Sequence, residues 1–480
     1  MTKHQNLIDG KWVGEEFKPN LNPSNTDDVI GLYAVGSAGD AVAAIAAACA
    51  AFPSWSRTAP LQRHTILRAA ADELYARRQE LGTLLAREEG KSLPEAIGEA
   101  TRAAQIFDFY AGECLRLSGE SIPSVRPGIG VEITREPVGP VGLITPWNFP
   151  IAIPAWKLAP ALAYGNTVVM KPADLVPGCA WELAAVLQRA GLPDGVLNLV
   201  MGSGSIVGQT MLDSPDLAAL SFTGSTTIGR RVAESSARLG RKFQLEMGGK
   251  NPLVVTDDAD LSVAVDCAVQ GAYYSTGQRC TASSRLIVTK GMHDRFVDAL
   301  TKHMGELRVG PALDADTQIG PVVSEQQFQQ DVDYVEIGKR EGATWHHGGL
   351  VLNRETPGFY LSPALFIDAH NGMRIAREEI FGPVACVIRA DDYDNALELA
   401  NDTEFGLSAG ICTQSLATAE HFKRNSQAGM VMVNLPTAGV DFHVPFGGTK
   451  ASSQGSREQG RYAREFFTTV KTAYVNAGSP

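Results

Sequence analysis

Residues 141–170 read VGLITPWNFPIAIPAWKLAPALAYGNTVVM, and the fold class follows from this stretch. It begins with an apolar run at 141–145, continues through an Ala- and Leu-rich helical pattern at 155–163, and returns to an apolar run at 167–170. Two apolar strands joined by a helix, with no hairpin signal between them, are typical of a parallel sheet covered by helices. The stretch therefore predicts one strand–helix–strand unit of an α/β protein.

The same alternation continues along the chain. We predict further strands at 196–200, 218–222 and 242–245, separated by helices at 180–190, 206–212 and 228–237. A second alternation begins after Gly249, with strands at 252–255 and 284–288 and helices at 261–274 and 292–307, and it extends to about residue 434. Ligands of such doubly wound sheets bind beyond the carboxyl ends of the strands. Functional residues are therefore expected in the loops that follow the strands.

The first 118 residues have mainly helical patterns. We predict a strand at 7–13, a helix capped by Asp40 that Pro53 ends, one helical tract over 60–81 and a further helix from Leu93. Because no polar residues converge in this part of the sequence, we expect it to be structural cover.

Residues 119–140 and the tail at 462–475 alternate apolar and polar residues, which is typical of extended strands. We expect these two segments to form an arm, in which the tail pairs with the earlier segment or with another subunit.

Composition restricts the class of protein. The 480 residues are 44% hydrophobic and 20% charged, which is typical of a globular protein with more than one domain. A net charge of −11 without a basic block argues against a nucleic-acid partner. The first residues lack a signal-peptide pattern, and no apolar run suggests a membrane segment. The seven scattered cysteines favour neither a disulfide framework nor a metal site, so we expect a cytoplasmic protein that binds no metal.

Cys280 is the leading candidate for a nucleophile. It follows the small residues Ser275, Thr276 and Gly277, although an intracellular cysteine is more often a small buried hydrophobe. Asn148 lies in a rigid bend between two prolines after the first strand of the unit, where its amide could stabilise an oxyanion or form a local turn.

Three other loops carry polar or glycine-rich sequences after predicted strands. Gly224 and Ser225 form a glycine turn before a helix, where free N–H groups favour a phosphate, and Gly204 lies in a second such turn. Lys171 and Asp174 could bind ribose hydroxyls, or they could be a solvated pair.

Glu246 ends a predicted strand beside Gly248 and Gly249. A glutamate in a partly apolar cleft has a raised pKa and can act as a general base, whereas an isolated glutamate is usually a surface residue.

Taken together, these segments resemble the aldehyde dehydrogenase superfamily along nearly the whole chain. The motifs that carry the resemblance, in family order, are Thr145-Pro146-Trp147-Asn148, Lys171-Pro172-Ala173-Asp174, Phe222-Thr223-Gly224-Ser225, Leu245-Glu246-Met247-Gly248-Gly249-Lys250, Gly277-Gln278-Arg279-Cys280, Glu379-Ile380-Phe381-Gly382-Pro383 and Pro445-Phe446-Gly447-Gly448.

The resemblance implies a fold and a division of the chain. It implies a Rossmann-type NAD(P)-binding domain at 1–118 and 141–249, an α/β catalytic domain at 250–434 and a β oligomerisation arm at 119–140 and 462–480. A homodimer or homotetramer is implied as well.

The resemblance also assigns roles to residues. Cys280 is the implied nucleophile, Glu246 the base for the hydrolytic water, Asn148 an oxyanion donor and Glu458 part of a proton relay. The implied cofactor is NAD, since Asp174 supplies a carboxylate where many NAD-preferring members carry Glu; NADP is the alternative. The implied cofactor-binding residues are Ile144, Thr145, Pro146, Trp147, Lys171, Asp174, Gly204, Gly224, Ser225, Ile228, Met247, Glu379 and Phe381.

The implied reaction oxidises an aldehyde to an acid through a Cys280 thioester. The segment 433–445 is similar to that of bacterial α-ketoglutaric semialdehyde dehydrogenases, and succinic, glutaric and aromatic aldehydes are the alternatives. A non-catalytic binding relative and a CoA-acylating enzyme are the alternative classes. The presence of Cys280, Glu246 and Asn148 together disfavours the first, and Glu246 as a hydrolytic base disfavours the second. Arg279, Trp156 and Phe149 are the candidate substrate residues. Ile153 and Trp156 are apolar where some semialdehyde enzymes carry polar residues, so the partner of a substrate carboxylate stays open.

Overall fold

The computed structural model describes residues 1–478. The strands, in chain order, are β1 (Lys3–His4), β2 (Asn6–Ile8), β3 (Lys11–Val13), β4 (Phe17–Asn22), β5 (Asn25–Ala34), β6 (Glu120–Pro123), β7 (Ile129–Pro137), β8 (Pro140–Ile144), β9 (Thr167–Lys171), β10 (Leu197–Leu199), β11 (Ala219–Thr223), β12 (Lys242–Glu246), β13 (Pro252–Val255), β14 (Arg285–Thr289), β15 (Thr344–His347), β16 (Ala364–Ala369), β17 (Val384–Ala390), β18 (Phe405–Gly406), β19 (Ser408–Cys412), β20 (Met430–Val433), β21 (Thr449–Lys450), β22 (Ser453–Gln454) and β23 (Thr468–Asn476).

The α-helices are α1 (Ala38–Trp55), α2 (Pro60–Ala76), α3 (Arg78–Glu89), α4 (Leu93–Glu113), α5 (Ala152–Ala163), α6 (Pro177–Arg189), α7 (Gln209–Asp213), α8 (Thr226–Arg238), α9 (Leu261–Ala272), α10 (His293–Glu306), α11 (Glu325–Glu341), α12 (Arg374–Arg377), α13 (Tyr393–Asn401), α14 (Leu416–Asn425) and α15 (Arg464–Phe467). The α/β class predicted from the sequence is confirmed.

The first large sheet has the strand order β22-β12-β11-β8-β9-β10-β2-β3. The five central strands, from β12 to β10, are parallel, and the strands at both edges are antiparallel. Because β8 lies between β9 and β11, the chain winds outward from β8 in both directions, and the loops after β8 and β11 leave the sheet on opposite sides. This switch point opens a crevice at the carboxyl ends of β8, β11 and β12.

The second large sheet has the order β15-β16-β17-β14-β13-β19-β20, and only β15 at its edge is antiparallel. Its central strands are buried on both faces: Leu253 and Val255 pack into one hydrophobic cluster and Val254 into another. Because these strands are buried on both faces, their sequences are continuous apolar runs and do not alternate between apolar and polar residues.

Several predicted boundaries in the first part of the chain are wrong. Ser37, not Asp40, is the N-cap of α1, and Asp40 is the reciprocal partner of a capping box three residues later. Pro53 lies inside the last turn and the helix continues to Trp55, because a proline near the end of a helix removes few intrahelical bonds. By length and composition α1, with a mean hydropathy of 1.3, could span a membrane, but its face with Ala41, Ala44 and Ala48 is buried in the protein.

Two other helical predictions need correction. The single tract expected over 60–81 is two helices, because the chain bends at Arg77 between α2 and α3. The helix predicted at 206–212 is a one-turn π-helix, Gly204–Gly208, followed by the short α7.

The arm is a three-stranded antiparallel sheet of order β23-β7-β6. The tail strand begins only at Thr468, so the strand predicted from residue 462 is wrong over its first part. Residues up to Phe467 are helical because Phe466 and Phe467 turn inward and are buried. From Thr468 to Asn476 the tail pairs with β7. Pairing with this earlier segment was one of the two alternatives predicted from the sequence, the other being pairing with another subunit.

Candidate active site

Cys280 follows a strained turn at the end of α9. Ser275 and Thr276 have φ of 52° and 57°, and Gly277 has φ of 68°. A Cβ at Gly277 would lie 2.2 Å from the carbonyl oxygen of Gly382, so the backbones pass too close for a side chain. Side-chain bonds hold the turn: Thr276 Oγ1 donates to the Gly320 carbonyl at 3.0 Å. The small residues before Cys280 therefore fix its position rather than make it flexible.

Cys280 lies where two cavities meet, and it is the only described residue that lines both. The first cavity, of about 530 Å³, lies at the crevice of the first sheet and is walled by Trp147, Glu379 and Phe381 among others. The second, of about 310 Å³, lies on the other side of Cys280 and is walled by Phe149 and Trp156 among others. A nucleophile at such a junction can contact two bound molecules at once.

Asn148 lines the first cavity beside Cys280. Its Nδ2 donates to the carbonyl of Gln278 at 3.0 Å, which uses one of its two N–H groups and leaves the other free. Lys91 Nζ donates to the Asn148 backbone carbonyl at 2.8 Å. The amide is therefore held next to the nucleophile with one donor available.

Burial raises the pKa of the Cys280 thiol well above its usual value, and the carboxylates of Glu379 and Glu246 raise it further. The thiol, not the thiolate, is therefore the stable form of Cys280 at neutral pH. A base must remove its proton before it can attack.

Glu246 is the last residue of β12 and is buried, with 2% of its surface exposed. Its Oε2 accepts a hydrogen bond from Ser453 Oγ at 2.6 Å, and it lies outside the walls of both cavities. Burial raises the pKa of Glu246 well above its usual value, and Glu458 adds to the increase.

Glu458 continues this buried acidic chain. It forms an ion pair with Lys157, and Ser221 Oγ donates to it at 3.3 Å. Glu246 and Glu458 therefore lie close enough for their charges to interact behind Cys280.

Glu379 and Phe381 lie on the far wall of the first cavity. Glu379 Oε1 accepts a hydrogen bond from the Gly249 N–H at 2.7 Å, and burial raises its pKa to about 7. Phe381 has φ of 65°, and its ring packs edge-to-face on Trp147 with 5.2 Å between centroids. Four other predicted cofactor residues line the same cavity: Pro146, Gly224, Ser225 and Met247.

Sequence reasoning missed Gln327 and Gln330, which line this cavity from α11. Their Nε2 atoms donate to the Ile380 carbonyl at 3.0 and 2.9 Å, so they fix the loop that carries Glu379 and Phe381. The signal was their spacing of three residues on one helix face.

The remaining predicted cofactor residues lie outside the walls of this cavity. Lys171 ends β9 and donates to the Pro172 carbonyl at 2.8 Å, and Asp174 lies 3.7 Å from Lys171 and 3.6 Å from Lys18. The others are Ile144 and Thr145 at the end of β8, Gly204 at the start of the π-helix and Ile228 in the first turn of α8.

The predicted substrate residues Phe149, Trp156 and Arg279 all line the second cavity. The Trp156 ring packs against Phe446, with 5.4 Å between centroids. Arg279 already has a carboxylate partner, since its Nη2 lies 2.6 Å from Glu95 Oε1.

The expectation that the first 118 residues are only structural cover is wrong. Helix α4 contributes Glu95, Glu99 and Arg102 to the second cavity, and Lys91 just before the helix lines it as well. Lys91 Nζ and Glu99 Oε2 form a buried ion pair at 2.7 Å. Positions 95, 99 and 102 share one face of a helix, and this spacing was the signal that could have found them.

Comparisons with known proteins agree with this geometry. Residues 12–473 match the model of the aldehyde dehydrogenase family. Over 476 residues the chain is 43% identical to the α-ketoglutaric semialdehyde dehydrogenase of Bacillus subtilis, which covers 98% of this chain and 97% of that protein. It is 42% identical over 480 residues to the 2,5-dioxopentanoate dehydrogenase of Saccharolobus solfataricus, which covers 99% of both.

Among solved structures, the betaine aldehyde dehydrogenase of Staphylococcus aureus in complex with NAD⁺ superposes with a TM-score of 0.96. The two sequences are 34% identical, and the match covers 99% of this chain and 95% of the other. The aldehyde dehydrogenase-like fold expected from the sequence is thereby confirmed.

Proposed function

Because this chain belongs to the aldehyde dehydrogenase family, we propose that it oxidises α-ketoglutaric semialdehyde (2,5-dioxopentanoate) to 2-oxoglutarate with NAD. The observation that carries the proposal is the position of Cys280 at the junction of two cavities. One cavity is suited to a cofactor and the other to a small aldehyde. The names of the two relatives, which match over nearly their full lengths, favour this aldehyde.

The first cavity fits a nicotinamide dinucleotide. It opens at the switch point of a parallel sheet, where such cofactors bind. Trp147 and Phe381 supply apolar surface, and Glu379 supplies a buried acceptor for ribose hydroxyls. At Gly248 a Cβ would lie 2.4 Å from Glu379 Oε2, so the missing side chain lets the carboxylate approach the backbone.

Cys280 and Asn148 carry out the first chemical step. The Cys280 sulfur attacks the aldehyde carbon after losing its proton to a base, and the carbonyl π electrons move to oxygen. The free N–H of Asn148 then donates to that oxyanion, and a preorganised donor of this kind lowers a barrier by about 3 kcal/mol. The cavity walled by Trp147, Glu379 and Phe381 would hold the nicotinamide, whose chemistry would supply the acceptor for the hydride of the tetrahedral carbon.

Glu246 carries out the second step, in which water cleaves the Cys280 thioester. A carboxylate with a raised pKa removes a proton from water near neutral pH more effectively than an ordinary one. Because Glu246 is bonded to Ser453 and lies behind the cavity walls, its side chain must rotate to reach the thioester. Glu458 can then take up the proton in the buried chain, where its ion pair with Lys157 holds it in place.

We propose NAD rather than NADP because Asp174 lies in the loop after β9, where its carboxylate would accept from a ribose 2′-hydroxyl and repel a 2′-phosphate. Lys18 and Lys171 beside it reduce that repulsion, so the preference is expected to be moderate.

We also propose that the protein assembles through its arm as a homodimer or homotetramer. The tail strand β23 is exposed along its length after Thr468, and Val470 and Tyr474 leave 55% and 62% of their surface in solvent.

A reducing cytoplasm suits the seven cysteines, each of which is a free thiol.

The variant Cys280→Ser tests the proposed chemistry. NADH formation from α-ketoglutaric semialdehyde should stop, while NAD still binds with unchanged affinity by calorimetry. Cys49→Ser, which removes a thiol on α1 away from both cavities, should leave turnover unchanged. Steady-state rates with succinic and glutaric semialdehydes, benzaldehyde and both cofactors then rank the substrates. Persistent turnover by Cys280→Ser would overturn the proposal.

A further inference from the structure

The second cavity contains one more positive charge than negative charge. Lys91 is paired with Glu99 at 2.7 Å, and Arg279 is paired with Glu95 at 2.6 Å. Arg102 is the remaining cation of the wall. Within residues 1–478, Arg102 makes no hydrogen bond or ion pair.

Arg102 lies on the cavity face of α4, and it is only partly exposed. Burial lowers the pKa of its guanidinium, and the attraction of Asp441 and Glu99 offsets this only in part. Neither carboxylate lies within ion-pair distance of it. A half-buried guanidinium without a partner is unfavourable, because its five N–H groups have lost part of their hydration.

Gln459 is a second polar group without a partner in the same cavity. Its side chain is 1% exposed, and neither Oε1 nor Nε2 has a hydrogen-bond partner among the described residues. Its backbone has φ of 60°, a strained conformation for a residue with a side chain. Strained backbone and an unpaired buried amide both reduce stability, and both are found where a site is built for a ligand.

We propose that Arg102 binds the substrate carboxylate and that Gln459 Nε2 donates to the 2-oxo oxygen next to it. This inference rests on the proposed function and deepens it, because it explains why the site would select a 2-oxo semialdehyde. Arginine presents two parallel N–H donors that match a carboxylate.

The rest of the cavity agrees with this assignment. One wall is apolar and suits the methylene groups between the two ends of the substrate. It is formed by Phe149, Trp156, Val440 and Phe446. A cavity of about 310 Å³ holds a five-carbon chain with its aldehyde at Cys280. Arg102 and Gln459 both line this cavity, so both face the space that such a substrate would fill.

The first test compares Arg102→Met and Arg102→Lys with the wild type on three aldehydes of equal length. These are α-ketoglutaric semialdehyde, glutaric semialdehyde, which lacks the 2-oxo group, and pentanal, which lacks both polar groups. For Arg102→Met, KM for the two carboxylates should rise about 10- to 100-fold, as expected for loss of a charged hydrogen bond, while kcat and the KM for pentanal change little. Arg102→Lys should retain part of the affinity, since it keeps the charge without the paired donors.

The second test uses Gln459→Met, which removes the amide and keeps the length of the side chain. The preference for α-ketoglutaric over glutaric semialdehyde should fall about tenfold, whereas KM for glutaric semialdehyde should not change. Arg68→Met, which removes an exposed arginine of α2 paired with Asp72 and Asp108, is the matched control and should change none of these constants.

The outcomes separate this inference from the function on which it rests. If the wild-type enzyme does not prefer the carboxylates over pentanal, both the proposed substrate and the role of Arg102 are wrong. If it prefers them and Arg102→Met keeps that preference, or loses all three substrates equally, only the role of Arg102 is wrong.

Discussion

Strained residues cluster around Cys280. Eight described residues other than glycine have positive φ, and four of them, Ser275, Thr276, Phe381 and Gln459, lie in the turn before Cys280 or on a cavity wall. Each such conformation costs on the order of 1 kcal/mol or more and persists only when its surroundings hold it. One contact that holds such a conformation is the hydrogen bond from Thr276 Oγ1 to the Gly320 carbonyl. The cost is consistent with side chains that must be aimed at a ligand.

The charge of Glu379 should control the reactivity of Cys280, and Glu379→Gln tests this. Its pKa is about 7, so above pH 7 its negative charge opposes ionisation of the thiol and raises the pKa of Cys280. The variant lacks this charge, so its thiol should react with iodoacetamide several-fold faster at pH 8 to 9. Below pH 6 the wild-type carboxyl is protonated, and the two rates should converge.

The control for this measurement is Glu336→Gln, an exposed glutamate of α11, which should not alter the alkylation rate. Alkylation of Glu379→Gln that is no faster than wild type at pH 9 would contradict the proposed coupling.

Some residue roles follow from sequence and others do not. Cys280, Asn148 and Glu246 stand out because they follow predicted strands or glycine turns, where ligands of α/β sheets bind. Arg102 and Gln459 follow no predicted strand or glycine turn. The spacing of position 102 from positions 95 and 99 indicates a shared helix face, but not that this face lines a cavity. Only the fold reveals that these two side chains reach the same cavity without partners.

Among the elements, buried strands were predicted best. The runs of β8, β9 and β11 are apolar because these strands are covered on both faces. Burial alone therefore determines which residue types these strands carry. Helix ends were predicted less well. Asp40 and Ser37 can both cap a helix, and the choice depends on which backbone N–H each side chain meets. The π-helix at Gly204–Gly208 has no sequence signal that separates it from an α-helix.

Helix α4 is joined to the start of α5 by a buried charge network. Glu99 Oε1 accepts hydrogen bonds from the N–H groups of Ile151 and Ala152, both at 3.1 Å, while Lys91 binds both Glu99 and the Asn148 carbonyl. The same glutamate therefore caps α5, neutralises Lys91 and fixes the loop that carries Asn148. The position of the oxyanion donor depends on a helix distant in sequence.

Removing one partner of this pair should destabilise the protein. Glu99→Gln removes the nearer of the two carboxylates beside the buried Lys91 ammonium, since Glu99 lies at 2.7 Å and Glu89 at 4.0 Å. Breaking a buried pair in this way costs about 3 kcal/mol of unfolding free energy. Adding Lys91→Met to it should recover much of that loss, because the ammonium that lost its nearest partner is then removed as well. Urea unfolding of the two single variants and the double variant measures the coupling, and additive effects would contradict it.

At the scale of the whole molecule, the site is assembled from segments far apart in the chain. Its residues come from α4, from the loops after β8 and β12, from the turn after α9 and from the segment around residue 379. Periodicity predicts each element separately, but the distances between elements depend on strand order, which local patterns do not encode. The junction of two cavities at Cys280 is therefore a property of the fold rather than of any one motif.

The arm should hold subunits together, and its exposed tail strand provides the test. One edge of β23 pairs with β7, and the other edge has no partner in the described part of the chain. A long exposed edge with apolar side chains is unusual in a monomer, because it would pair with other chains. Light scattering of the wild-type protein should give a mass two or four times that of one chain.

Charges placed on the tail should weaken this assembly in a manner that depends on the face. Val470→Lys with Tyr474→Lys puts two ammonium groups on one face of β23, and the average mass should fall towards that of one chain. Thr469→Lys with Ala473→Lys adds the same charge to the opposite face and is the matched control. Equal dissociation by both pairs would point to a general charge effect instead of a specific apolar contact, and a monomeric wild type would refute the assembly itself. Phe466 and Phe467, which anchor the arm, are buried, and none of the four substitutions changes them. Unfolding of this anchor should therefore not explain a decrease in the average mass.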